Sequence, residues 1–231
     1  MTVAVFHGSP RRGNTYAATR IFMDELLKQG EVSFAEFHLP EALPAFCTGC
    51  TLCFRGLEEK CPNAQYATPI LEAIRKADAL VFATPHYGAC SMPASMKNLF
   101  DHIDFMVLHV SPREEMFEKK AFILTTGAGS AAAIKPISSF LKHCGVNLVS
   151  SLGFRLLTDK WGNIPEARRA RYEHSLRKAA QKFYAAKKGR PYLLTILFYH
   201  IVKSIIMKRI GEGNYPYDNW KAKGYFKKRP F

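Results

Sequence analysis

A regular alternation of short apolar segments with segments of helical periodicity constrains the fold of this chain more than any other feature. The first helical pattern places Ala18, Phe22 and Leu26 on one face. Segments 80–82 and 122–124 are continuously apolar, which is typical of strands buried on both sides. Strands that alternate with helices predict a parallel sheet covered by helices on both faces. We expect strands at 2–6, 32–37, 79–83, 121–125 and 146–152, and further helices near 69–76, 93–108, 131–143 and 165–187.

The number of predicted strands sets the fold class. For an open α/β sheet, five strands favour the flavodoxin-like order 2-1-3-4-5 over the six-stranded dinucleotide-binding order. We therefore predict a flavodoxin-like three-layer α/β sandwich with a five-stranded parallel sheet. The chain has 231 residues, enough for one large domain with an appendage. A shift in composition near residue 187 divides it into a flavodoxin-like domain, 1–187, and a basic amphipathic C-terminal helical extension, 188–231.

The loop after the first predicted strand has the composition of an anion site. Ligands of open parallel sheets bind beyond the carboxyl ends of the strands, where this loop opens a helix. Backbone N–H groups at a helix start carry partial positive charge, and two hydroxyl groups and two guanidinium groups add to it. A single phosphate monoester fits this composition best. The residues concerned are Ser9, Arg11, Arg12, Gly13, Asn14 and Thr15.

Two other interpretations of this loop stay open at the level of sequence. Gly8 and Gly13 have the spacing of a P-loop, but Asn14 stands where that motif needs the lysine that contacts the terminal phosphates. Its absence argues strongly against a nucleoside triphosphatase. The other interpretation is a polar strand-to-helix turn with an asparagine cap and no ligand.

The loop after the third predicted strand begins with Pro85, His86, Tyr87 and Gly88. A flat heterocycle with a polar rim needs an aromatic or proline wall and nearby backbone amides, and this loop offers both. Gly88 would allow close approach of the backbone. A helix-entry turn in which Tyr87 merely packs is the alternative. A glycine-rich loop after the fourth strand adds Thr126, Gly127 and Gly129 along the edge of such a ring.

Taken together, these loops resemble the NAD(P)H-dependent FMN reductase family of the flavodoxin-like superfamily. The family pattern is a Ser/Thr-Pro, an aromatic-Gly pair, a Met-Pro and a Lys-Asn before an Asp, and it is matched between 84 and 101. The resemblance covers roughly residues 1–185 and implies FMN as cofactor with NAD(P)H as co-substrate. His86 departs from the commoner apolar residue, which leaves its effect on the flavin open. The resemblance implies a phosphate site at Ser9, Arg11, Asn14 and Thr15, and a ring site at Pro85, His86, Tyr87 and Gly88.

The function implied by this resemblance is that of an oxidoreductase. Electrons would pass from NAD(P)H through FMN to a small acceptor such as a quinone, a nitro compound, a flavin or a metal complex. The chemistry would belong to the cofactor, so no side chain is predicted to be catalytic, and His102 and Asp104 are expected to be structural. A non-enzymatic electron carrier that docks on a protein partner is the rival hypothesis.

Four of the six cysteines fall within fifteen residues, at Cys47, Cys50, Cys53 and Cys61. Four thiolates at this spacing can hold a 4Fe-4S cluster, and the arrangement resembles the iron-sulfur flavoproteins, a branch of the same superfamily. Relatives also carry similar cysteines without a cluster, so a loop of free thiols and a zinc site are the alternatives. Ordinary small buried residues are predicted at Cys90 and Cys144.

The net charge of +14 belongs to the C-terminal third of the chain. Residues 160–231 carry 18 Lys+Arg and 4 Asp+Glu, whereas residues 1–159 carry 15 of each. Within 190–210, basic residues flank an apolar stripe that is too short and too polar to span a bilayer. We expect this stripe to pack on the protein's own surface, to pack in a homodimer or higher homo-oligomer, or to contact a membrane surface that contains anionic lipid. Its members are Leu194, Phe198, Ile201, Val202 and Ile205.

Two further expectations follow from the ends of the chain. No nucleic-acid partner is expected, because the basic residues are interleaved with Ile, Leu and Phe and no nucleic-acid-binding fold is recognisable. No basic region followed by a long apolar segment opens the chain, so no secretory signal is predicted. The expected location is the cytoplasm, with the C-terminal segment as the part that would contact a membrane.

Overall fold

A sheet of five parallel strands forms the centre of the molecule. The structure, a computed structural model, describes residues 1–87, 91–129, 131–187 and 193–231, without the side chains of residues 131 and 194. The strand order β2-β1-β3-β4-β5 confirms the predicted order and fold class. The strands are β1 (Thr2–His7), β2 (Ser33–His38), β3 (Ala79–Pro85), β4 (Lys120–Thr126) and β5 (Asn147–Phe154).

Helices connect the strands and cover both faces of the sheet. They are α1 (Asn14–Leu27), α2 (Leu39–Ala42), α3 (Ala64–Lys76), α4 (Ala94–Ile103), α5 (Ala131–Cys144) and α6 (Glu166–Ala185). Short 3-10 helices lie at Leu52–Arg55, Glu58–Lys60, Asp104–Met106, Glu114–Glu118 and Trp161–Asn163. The prediction that a helix starts near Pro69 was wrong, because α3 begins at Ala64. Its first turns bury Ala67, which favours the helix despite the one hydrogen bond lost at Pro69.

Successive side chains of the strands alternate between two cores. Val3 and Val5 of β1 pack with α1 and α6, where the rings of Phe22 and Phe122 stack at 4.1 Å between centroids. Ala4 and Phe6 point to the opposite side and pack with α3, α4 and α5. Because side chains of a strand alternate in direction, a strand buried on both faces is apolar throughout, as its sequence predicted.

The C-terminal segment forms a third, smaller core against the sheet domain. It contains α7 (Leu193–Ile201), a π-helix (Val202–Ile206), α8 (Met207–Ile210) and α9 (Tyr215–Ala222). Trp220 is fully buried, and its indole N–H donates to the carbonyl oxygen of Leu108 at 3.0 Å. Tyr199 stacks on Trp220, and both pack with Leu108 and Phe117. Within the described ranges, no helix combines the length and the apolar character needed to cross a bilayer.

The prediction that the apolar residues of this segment share one face was wrong. Val202 is fully buried, whereas Ile201 and Ile205 are exposed on the other side of the segment. Phe198 is half-buried, and the side chain of Leu194 lies outside the described residues. The inward face is built instead by Thr195, Tyr199, Val202 and Met207. A helix apolar on several sides offers more than one buriable face, and packing against Leu108 and Phe117 selected this one.

Candidate functional site

A cavity of about 440 Å³ lies at the carboxyl ends of β1, β3, β4 and β5. We call it the sheet-edge cavity. Of the predicted flavin-site residues, Gly129 lies beside His86 rather than on the cavity wall, and Gly88 lies outside the described residues, as does Cys90. The structure brings the others together around the cavity: Ser9, Arg11, Arg12, Gly13, Asn14, Thr15, Pro85, His86, Tyr87, Thr126 and Gly127.

The amino end of α1 presents positive charge to this cavity, whose lining contains one carboxylate, that of Asp159. Gly13 precedes the helix, no side chain caps it, and its first turn contains no acidic residue. The backbone N–H of Arg11 donates to the Ser9 hydroxyl at 3.1 Å, and the exposed guanidinium of Arg12 lies 5.5 Å from the ring centre of Tyr16. Helix dipole and guanidinium groups act in the same direction, so this end of the cavity favours an anion.

Glycine is required where loop 8–15 leaves β1. The N–H of Gly8 donates to the carbonyl oxygen of Ala83 at 2.9 Å, and its own carbonyl oxygen accepts from the Ser95 hydroxyl at 2.7 Å. A Cβ atom at Gly8 would lie 2.9 Å from Oγ1 of Thr84 and 3.0 Å from Cβ of Met96. Only a glycine fits this close approach of the loop to β3 and α4.

Asn14 and Thr15 tie the start of α1 to other parts of the site. The Asn14 side-chain N–H donates to the carbonyl oxygen of Thr158 at 2.6 Å, while its buried Oδ1 has no partner among the described residues. The buried hydroxyl groups of Thr15 and Thr126 lie 2.7 Å apart and share a hydrogen bond. Because a buried polar atom needs a partner, the Asn14 oxygen marks a place for a ligand donor or water.

His86 shapes the glycine-rich loop at the other end of the cavity. Its backbone N–H donates to the carbonyl oxygen of Thr126 at 2.7 Å. A Cβ atom at Gly129 would lie 2.7 Å from Nε2 of His86, and one at Gly127, where φ is +133°, would lie 3.1 Å from the His86 carbonyl oxygen. Both glycines therefore make room for His86. Its Nδ1 is buried without a partner among the described residues.

A fourth loop, 155–160 after β5, lines the cavity and was missed from the sequence. The rule that ligands bind beyond the carboxyl ends of strands pointed to it as well, but its residues carry no motif. Leu156 is anchored by its N–H, which donates to the carbonyl oxygen of Gly127 at 3.3 Å. The loop contributes Leu156, Thr158, Asp159 and Lys160.

The four clustered cysteines line a second cavity of about 240 Å³, between loop 47–61 and helices α3 and α4. All four are free thiols, and apolar walls come from Phe54, Ala67, Leu71 and Phe105. Burial and the neighbouring Cys47 raise the pKa of Cys53 to about 11. Cys144 is buried in the sheet domain, as predicted.

A chain of three polar side chains holds the cysteine loop, and the sequence did not reveal it. The Asn98 side chain accepts from the backbone N–H of Cys47 at 3.0 Å and donates to the carbonyl oxygen of Leu43. His102 donates from Nδ1 to the carbonyl oxygen of Asn98 and accepts at Nε2 from the Asn63 amide. These bonds fix the orientation of the His102 ring.

The spacing of the thiols bears on which metal the loop suits. A zinc–sulfur bond of about 2.3 Å places the sulfur ligands of a tetrahedral zinc ion about 3.8 Å apart. Three potential metal ligands, His7, Glu36 and His38, lie within 4.8 Å of one another. Within the described residues, the cysteines form no group as close as this one. No three of the four thiol sulfurs, all of which belong to described residues, lie within 4.8 Å of one another in this arrangement.

Comparison with known proteins adds a family to this geometry. Residues 1–154, from the first strand to the end of the fifth, match the model of the NADPH-dependent FMN reductase family. An iron-sulfur flavoprotein of Clostridioides difficile is 24% identical over 236 positions, covering 97% of this chain and 99% of that protein. An iron-sulfur flavoprotein of Archaeoglobus fulgidus is 30% identical over 101 positions, covering 44% of this chain and 48% of that protein.

A solved structure shows the same fold. The azoreductase of Bacillus anthracis str. Sterne has a TM-score of 0.62 at 16% identity, over 79% of this chain and all of that one. The family match spans the whole sheet, together with the loops after β1, β3 and β4 that line the sheet-edge cavity. The chain therefore belongs to the NADPH-dependent FMN reductase family and is an FMN-dependent oxidoreductase.

Proposed function

We propose that FMN binds in the sheet-edge cavity and that the protein carries electrons from NAD(P)H through FMN to a small acceptor. One observation carries the site assignment, namely that the loops after β1, β3, β4 and β5 enclose one cavity with an uncapped helix start at one end. The unpartnered Asn14 oxygen and His86 nitrogen in its lining fit a ligand that is polar along its rim.

In this proposal the phosphate of FMN lies at the start of α1, held by backbone N–H groups, Ser9, Arg11, Arg12 and the second N–H of the Asn14 amide, whose oxygen is left to accept from a hydroxyl group of the cofactor. Thr15 supports the site indirectly, since its hydroxyl is engaged by Thr126. The ring lies along Pro85, His86 and Tyr87, with Gly127 at its edge. FMN, when bound, supplies the redox chemistry by accepting electrons from a nicotinamide and releasing them to an acceptor. The protein binds, orients and partly shields it.

The acceptor in this proposal is a small molecule, such as a quinone, a nitro compound, a free flavin or a metal complex. Tyr87 is 40% exposed at the mouth of the cavity, where an incoming planar molecule can stack on it. Nicotinamide and acceptor would use this mouth in alternation. A homodimer is part of the proposal, and analytical ultracentrifugation of the flavin-loaded protein tests it.

A second cofactor is favoured by the cysteine cavity. We propose that Cys47, Cys50, Cys53 and Cys61 bind a 4Fe-4S cluster, in keeping with the names of the two iron-sulfur flavoproteins described above. A 4Fe-4S cluster held by these cysteines would supply one-electron chemistry beside the flavin. Cluster binding requires deprotonated thiols, so assembly would release protons.

Titration of apoprotein with FMN and with riboflavin tests the flavin site. We expect FMN to bind at least tenfold more tightly, because riboflavin lacks the charged group that the start of α1 favours; a ratio near tenfold corresponds to about 1.4 kcal/mol. Equal binding of the two ligands would contradict the phosphate assignment. Oxidation of NAD(P)H by flavin-loaded protein, with and without a quinone, then separates an enzyme from an electron carrier that shows no turnover.

Iron and acid-labile sulfide analysis after anaerobic purification tests the cluster independently of the flavin. About four of each per chain is the expected result for a 4Fe-4S site. Zinc without sulfide, or thiols without metal, would contradict the cluster and leave the flavin proposal intact.

A further inference from the structure

The outer surface of α7 and of the π-helix that follows it carries a continuous apolar stripe. Its members are spaced four residues apart: Leu193, Leu197, Ile201 and Ile205 are 82%, 56%, 40% and 49% exposed. They are half of the eight large hydrophobic side chains that are exposed in the described part of the chain. Single exposed apolar side chains are ordinary, but four in a row on one element mark a contact surface. We call this row the outer stripe.

The π-helix keeps the outer stripe straight. In a regular α-helix of 3.6 residues per turn, side chains four apart drift steadily around the axis. The turn at Val202–Ile206 is wider, with hydrogen bonds to the fifth residue, so it turns Ile205 back toward Leu197 and Ile201. The opposite side of the same element is meanwhile fixed by the burial of Tyr199, Val202 and Met207. The stripe is therefore held on a rigid, packed helix rather than on a loose tail.

Exposed basic side chains lie at one end of the outer stripe and beside it. Segment 187–211 contains six Lys or Arg residues and no Asp or Glu. Lys208 and Arg209 are exposed at the end of the stripe, and Lys142 of α5 is exposed beside Leu197 and Ile201, lining the same groove of about 260 Å³. Within the described residues, Lys142, Lys208 and Arg209 make no ion pair with a carboxylate.

We propose that the outer stripe docks on the surface of a bilayer that contains anionic lipid. The aliphatic side chains would enter the boundary between headgroups and acyl chains, while the basic residues meet lipid phosphates. The positive charge of segment 187–211 favours anionic lipid over a second copy of the chain as the partner of the outer stripe. A two-fold pairing through the stripe would bring this basic segment against itself, and the next carboxylate along the chain, that of Glu212, is already paired with Lys221, whereas anionic lipid supplies the opposite charge.

Vesicle flotation with the flavin-loaded full chain tests the proposal. The test compares vesicles of phosphatidylcholine alone with vesicles of equal parts phosphatidylcholine and phosphatidylglycerol. The wild type should float with the anionic vesicles, stay in solution with the neutral ones, and detach as salt is raised. The double variant Leu197→Gln, Ile201→Gln should lose about tenfold or more in partitioning, because it removes two of the four contacts. The charge variant Lys208→Glu, Arg209→Glu should lose binding to the anionic vesicles similarly.

Leu27→Gln is the matched control, since Leu27 is 49% exposed at the end of α1, outside the stripe. It should float like the wild type. Thermal unfolding and the flavin spectrum should be unchanged in every variant, because the altered side chains are exposed and lie outside the sheet-edge cavity.

Three results would overturn the proposal. The wild type could fail to float, or it could bind neutral and anionic vesicles equally. The stripe variant could also change the sedimentation of the protein from a larger to a smaller species while vesicles bind no form of it. That last result would assign the stripe to a contact between copies of the chain.

Discussion

The side-chain oxygen of Asn98 accepts a hydrogen bond from the backbone N–H of Cys47 at 3.0 Å. Asn98 lies on α4, the helix that follows the loop beginning at Pro85, and Cys47 opens the loop of four thiols. One helix thus fixes the cysteine loop and continues directly from the proposed flavin loop. Helix α4 therefore adjoins both proposed cofactor sites, and changes at Asn98 should affect the cysteine cavity first.

Asn98→Ala should destabilise the protein and lower its iron content. The change leaves the N–H of Cys47 and the carbonyl oxygens of Leu43 and Ala45 without their partner. We expect a loss of about 1–3 kcal/mol in the free energy of unfolding, measured in urea. Asn163→Ala, at an exposed position in a 3-10 helix, is the control. Full iron content in Asn98→Ala would show that the loop holds its cluster without this bond.

Cys61→Ser should remove the cluster while sparing the flavin. A serine hydroxyl is a poor replacement for a soft thiolate ligand of iron. We expect the iron-to-protein ratio to fall severalfold after anaerobic purification and FMN affinity to stay within a factor of about two. Cys144→Ala removes a buried thiol that does not line the cysteine cavity, so it should retain iron. Equal iron loss in both variants would point to general instability instead.

Gly129→Ala should weaken FMN binding through His86. A Cβ atom there would lie 2.7 Å from the imidazole Nε2, so the ring must move. We expect a loss of about tenfold in FMN affinity, measured by quenching of flavin fluorescence. In a His86→Ala background the same substitution should cost little, because the obstructing ring is gone. Additive losses in the double variant would show that Gly129 acts on the ligand directly.

Arg11→Gln with Arg12→Gln should reduce affinity for FMN and leave affinity for riboflavin unchanged. Both guanidinium groups line the anion end of the cavity, and hydrogen bonds to charged groups contribute about 1.5–3 kcal/mol. The loss should be smaller at high salt, since both side chains are exposed and screened. Arg168→Gln, at an exposed position on α6 outside the cavity lining, is the control. An equal loss for riboflavin would place the arginines at the ring instead.

The carboxylate of Glu25 should make the free energy of unfolding depend on pH in the acid range. Hydrogen bonds from Gln181 at 2.9 Å and from Lys28 at 3.1 Å hold its pKa below the ordinary value of 4.5. A lowered pKa in the folded state contributes stability that is present above pH 4.5 and lost as the pH falls through the folded-state pKa. In Gln181→Leu this contribution should shrink. Unfolding in urea on both sides of that pH measures it, and identical pH profiles would contradict the expectation.

The sequence by itself determined the layers, the strand order and three of the loops around the sheet-edge cavity. Alternating strand and helix patterns leave few parallel topologies, and the carboxyl ends of parallel strands meet at one edge. Local pattern was therefore enough to predict that loops 8–15, 84–93 and 126–129 would converge. The fourth loop, 155–160, follows the same rule but carries no motif, so its role emerged only from the fold.

Only the tertiary structure decided the contacts between distant segments. Nothing local links Asn98 to Cys47, and nothing local shows that Gly127 and Gly129 make room for His86. The same holds for the C-terminal helix, which is apolar on several sides. Its inward face was selected by packing of Tyr199 and Val202 against Leu108 and Phe117, and the outer stripe is what that packing left exposed. The sequence shows which faces of a helix are apolar enough to be buried. Which of them is buried depends on a partner surface that forms only when distant segments pack together.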